Sequence, residues 1–94
     1  MNIDELRERL DALFPQLVDD LSQLVAIPSV SSDPSHAADV DRSAEHIRSR
    51  FEALGLDAQI HSVTTPEGVQ GKSAILARSP HIEGAPTVLL YAHH

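Results

Sequence analysis

Two adjacent imidazoles, His93 and His94, close an almost unbroken apolar run that begins at Ala85 and reads APTVLLYA. Neutral imidazole is a common ligand for divalent metals, and it carries protons near neutral pH. In an open α/β sheet, ligands gather outside the carboxyl ends of the strands. An apolar strand that delivers ring nitrogen to such an edge is a candidate first piece of a metal centre. Successive strand side chains point to opposite faces, so only one of the pair readily faces a given ion. Spacing alone does not say which, and it leaves open whether the pair is simply an incidental chain end.

The other four histidines carry weaker signals. His36 is expected to be exposed in the first turn of a helix, and His46 to flank an apolar stripe. His61 falls on the outward face of a strand, and His81 in a loop. None of them pairs at the i, i+4 helical spacing of a zinc site, and the HExxH pattern is absent. All four read as structural or solvated. Asp39 and Asp41 lack the further ligands and the glycine of a calcium loop. Ser29, Ser31 and Ser32 belong to no nucleophile elbow and no phosphate loop. No residue is assigned a catalytic role, and none an organic cofactor.

The elements that must position these groups are legible in the periodicity. Ile3, Leu6, Leu10, Leu13, Leu17, Leu21 and Leu24 recur at spacings of three and four, which predicts an amphipathic helix over about 3–26. Asn2 with Glu5 resembles a capping box. Pro15 lacks an N–H and crowds the carbonyl of Asp11, so a kink or two abutting helices are expected there. The stripe suits packing on a sheet better than a coiled coil broken by proline.

After the Ser- and Pro-rich loop AIPSVSSDPSH, Val40, Ala44, Ile47, Phe51 and Leu54 predict a second helix over about 35–54. Asp33 is its expected N-cap and Pro34 its first residue, while Gly55 occupies the left-handed position of a Schellman ending. The period then changes to two. Strands are expected over about 56–63, 72–78 and 86–92, the first two separated by a turn at Thr65–Gly68. The last is apolar on both faces, as in the interior of a helix-covered sheet. The order is two helices followed by three strands, an α/β layout with its sheet incomplete.

Bulk properties narrow the functional classes. Fourteen acidic side chains against seven basic ones give a net charge of -7, which opposes a nucleic-acid or anionic-membrane surface. No apolar run approaches the roughly 20 residues of a spanning helix, and the charged start MNIDELRERL has no signal-peptide core. A cytoplasmic protein is the simplest expectation. The chain has no cysteine, which excludes disulfides and Cys-based zinc sites. Aromatic residues are only 3% of the chain, so its core must rest on Leu, Val, Ile and Ala.

The ordered set LSQLVAIPSVSSDPSHAADVDRSAEHIRSRFEALGLDAQI, GKSAILA and GAPTVLLYAHH resembles the start of the di-zinc metallopeptidases. That family includes carnosinase-like dipeptidases, carboxypeptidase G, acetylornithine deacetylase and succinyl-diaminopimelate desuccinylase, and the likeness is greatest to the dipeptidase branch. The resemblance spans essentially the whole chain. Its most specific pieces are AIPSVSS and the apolar strand that leads into a small residue and His. It implies the N-terminal part of a phosphorylase/hydrolase-like zinc-peptidase catalytic domain, the rest of which, with a lid or dimerisation domain, lies outside residues 1–94. In the family the strand enters a His-x-Asp motif. His93 therefore maps to the first-zinc ligand and His94 to the variable position, with the Asp expected next. The implied cofactor is a pair of Zn2+ ions with only this one ligand present. The implied substrate is a dipeptide or, on the same scaffold, an N-acyl amino acid, cut next to a free carboxylate; dimers of family members form through the lid. These 94 residues alone are expected to be inactive and marginally folded. A non-enzymatic α/β interaction module is the rival from another class.

Overall fold

Asn2 opens the first helix as the periodicity requires. Its Oδ1 accepts from Glu5 N–H at 2.9 Å, and Glu5 Oε2 accepts from Asn2 N–H at 3.1 Å, a complete capping box. In this computed structural model, which describes all of residues 1–94, the helix α1 runs over Ile3–Val25. Pro15 lies inside it, and the helix continues through as one element instead of two abutting ones. The missing N–H removes a single ladder bond, and exposed Asp11 leaves its carbonyl free to water. No residue of α1 is buried.

Asp33 caps the next element, its Oδ1 accepting from Ser35 N–H at 2.9 Å and from Ser35 Oγ–H at 2.7 Å. The predicted start at residue 35 resolves into a 3-10 turn, Pro34–His36, that leads into α2, Ala37–Ala53. Gly55 ends α2 with φ +83°. Leu56 N–H donates to Phe51 O at 3.1 Å and Gly55 N–H to Glu52 O at 2.9 Å, the two bonds of a Schellman motif.

Two antiparallel strands follow, β1 (Asp57–His61) and β2 (Ala74–Arg78), each shorter than its predicted span. Ala58 pairs with Ala77 and Ile60 with Ile75, and the face that carries Ala58, Ile75 and Ala77 packs against α2. The core sits there. Val40, Ala44 and Ala58 are buried, Ser43 is sealed among them, and Ile47, Leu56, Ile75 and Ala77 are half-buried. Beyond β1 the hairpin narrows through a Thr64–Gln70 bridge to the turn at Thr65–Gly68, where Gly68 N–H donates to Thr65 O at 2.9 Å.

The third strand expected over 86–92 does not form. Residues 86–94 exchange no backbone hydrogen bonds, and Leu90 is 88% exposed. A strand exists only as part of a ladder, and a segment apolar on both faces needs neighbours on both sides. Residues 1–94 leave this one without a partner strand. The observed α/β fold is therefore two helices and a two-stranded antiparallel sheet that is incomplete. No helix is long and apolar enough to cross a membrane.

Candidate functional site

The side chains of residues 91–94 divide between two surroundings. Tyr91 and His93 share one side. Their rings meet edge to face at a centroid distance of 5.1 Å, and Tyr91 Oη lies 2.9 Å from His93 Nε2. Both are exposed. His94 turns the other way and is half-buried. Its Nδ1 lies 2.9 Å from Ser43 Oγ on α2, and its Nε2 lies 3.3 Å from the carbonyl oxygen of Ser73 just before β2. Ser73 Oγ–H in turn donates to Asp41 Oδ1 at 3.1 Å, tying the lead-in of β2 to α2.

The structure thus separates the two imidazoles that the sequence leaves together. His93 presents a ring open to solvent, and its chemistry suits one position of a metal centre. The rest of a donor set is not beside it. No three His, Asp or Glu side chains of the chain stand together in a way that could hold an ion, whereas a catalytic zinc takes about three protein ligands. Residues 1–94 do not complete such a centre by themselves, and no catalytic step is assigned to them.

The remaining histidines stand apart from this end. His36 is the N-cap residue of α2 and, contrary to its expected exposure, is half-buried. Its Nδ1 lies 2.9 Å from Asp39 Oδ2, because the helix brings the two side chains onto one face, where Arg42 also reaches Asp39 at 2.9 Å. His46 is half-buried, while His61 and His81 are exposed, with His81 Nε2 at 3.2 Å from Glu83.

Hydrogen bonding shifts three charged groups elsewhere. The Ser35 hydroxyl, then its backbone N–H, holds the Asp33 carboxyl below the usual carboxylate range. The Arg48 guanidinium lowers Glu45 chiefly through its hydrogen bonds. Arg48 itself is pushed up by Glu45 and Glu52. All three support the start or the surface of α2, and none faces His93.

Sequence reasoning missed Ser43. Its partner lies 51 residues away, beyond the reach of any local motif. A signal was present, since a lone hydroxyl beside Ala44 and one turn beyond Val40 lies within the apolar phase of the helix. A polar group in such a place requires a partner.

No protein-family model matches the chain, and no solved structure matches it. Two curated proteins do. A cysteinylglycine-S-conjugate dipeptidase of Corynebacterium striatum is 30% identical over 79 residues, covering 84% of this chain and 16% of the dipeptidase. A Cys-Gly metallodipeptidase of Candida albicans is 30% identical over 99 residues, covering 98% of this chain and 20% of that protein. The chain therefore spans a fifth or less of the length of these relatives. Together the two similarities support a dipeptidase-like metallopeptidase family for this chain.

Proposed function

We propose that residues 1–94 form the N-terminal part of the catalytic domain of a zinc-dependent dipeptidase, in which His93 is the first metal ligand. The observation that carries this reading is the exposed His93 imidazole at the end of an apolar segment, within a chain that is similar over most of its length to two dipeptidases. Both relatives cleave dipeptides by name, which favours a dipeptide over an N-acyl amino acid as substrate, and Cys-Gly is the first to try. A loaded two-metal centre would supply carbonyl polarisation and activation of water. The part left to this chain is to hold one imidazole at the mouth of the sheet.

The test has two stages. The reading frame after codon 94 is expected to give Asp at once, followed by further His and acidic residues; a stop codon there overturns the reading. The longer gene product, supplied with zinc, is expected to hydrolyse Cys-Gly, and His93→Ala to lower turnover by more than the roughly 10- to 100-fold lost when a group behind a metal ligand is removed. Full activity in that variant would remove His93 from the site. Residues 1–94 alone are expected to show no turnover.

A further inference from the structure

Ser43 lies in the sealed stripe of α2, where a hydroxyl cannot turn to water for a partner. Its partner is the imidazole of His94. The Ser73 carbonyl only accepts, so the Nε2 that approaches it must carry the hydrogen. In the neutral ring Nδ1 is then bare and accepts from Ser43 Oγ–H. Since Asp41 accepts from Ser73, the bonds form a closed circuit through α2, the lead-in to β2 and residue 94. Residues 86–94 have no backbone hydrogen bonds, and this circuit is their polar attachment to the rest of the fold.

We propose that Ser43 is a positioning residue: with the Ser73 carbonyl it grips the His94 imidazole and so fixes the direction in which neighbouring His93 projects, away from α2 and into the open. A single planar peptide bond joins the two residues, so seating the His94 ring against α2 constrains where the exposed His93 ring projects. Ser43 itself touches neither substrate nor ion. The grip stands on geometry alone, while its consequence for metal binding rests on the dipeptidase reading.

The experiment uses the gene product that carries these residues, labelled with 15N-histidine. In the unaltered protein the His94 ring is expected to be locked as the Nε2–H tautomer, and in Ser43→Ala to average between tautomers while exposed His61 stays as it was. An Nδ1–H tautomer or free averaging at His94 in the unaltered protein overturns the proposal, and this measurement requires no variant to fold. Co2+ alone is the second probe, read by calorimetry. Its affinity is expected to fall about tenfold or more in Ser43→Ala, the range seen when support behind a metal ligand is removed. Unchanged affinity alongside a released His94 ring overturns the positioning role. If the unaltered protein binds no Co2+, the metal reading of His93 fails, and the tautomer measurement still decides the grip.

Discussion

Hydrogen bonds to single side chains decide what each charged group contributes, and Asp33 shows this most directly. Its carboxyl accepts from both the hydroxyl and the backbone N–H of Ser35, and it titrates below the usual carboxylate range. A carboxyl whose pKa is lower in the folded than in the unfolded chain binds its proton less readily when folded. The stability it adds is therefore present above the ordinary value near 4 and is lost as pH falls through the lowered one. Glu45, held down by Arg48, acts in the same direction. Ser35→Ala should raise the Asp33 pKa toward the ordinary range, while the remaining backbone bond keeps part of the depression. Carboxyl-detected NMR titration measures this, and an unmoved Asp33 would assign the effect to the backbone alone. Both groups are exposed, and added salt should weaken the part of the Glu45 shift that comes from the Arg48 charge, while the Asp33 shift, set by neutral Ser35 donors, should respond less.

Among the elements, those set by local chemistry were the ones legible in the sequence. The Asn2–Glu5 box, the Asp33 cap and the Gly55 ending each involve partners within five residues, and each is found where the residue types place it. The β1–β2 hairpin was legible from its period of two and from the Thr65–Gly68 turn, although its paired residues lie 13 to 21 positions apart and its ladder ends at His61 and Ala74. The 86–92 segment forms no ladder within residues 1–94, because a strand is a relation between segments and no pattern within it shows whether a partner exists. The Ser43–His94 contact escaped on similar grounds. Gly55 offers a test at this scale. It holds φ +83°, and a Cβ built on it would meet no atom within 4 Å, so any penalty for a side chain is purely conformational. Gly55→Ala should destabilise the end of α2 by about 1–2 kcal/mol, and Gly55→Asn by less, since Asn tolerates the left-handed region. Urea unfolding followed by circular dichroism compares the two. Equal losses would mean that something other than backbone conformation is at stake.

At the scale of the whole molecule, these 94 residues enclose very little. Only four are buried, and the accessible surface is 7859 Å², against about 5,300 Å² for a compact protein of this mass. The radius of gyration is 16.4 Å, where a compact chain of this length has about 12 Å. The excess surface includes the apolar stripe of α1 and the segment Val88–Tyr91, in which every side chain is more than three-quarters exposed. Such apolar area drives association, and an unpaired extended segment offers a further edge for it. The net charge of -7 opposes this by mutual repulsion. The two effects respond differently to salt, because screening weakens the repulsion and leaves apolar burial intact. Residues 1–94 alone should therefore self-associate with concentration, and more strongly at about 0.5 M than at 0.05 M salt, where the screening length falls from over 10 Å to about 4 Å. Leu89→Glu with Leu90→Glu should reduce association at both salt levels, by adding charge and removing apolar area together. Sedimentation velocity at several concentrations reads each outcome. A monodisperse monomer in high salt would show that the apolar faces find cover within the chain, in an arrangement more closed than the one described.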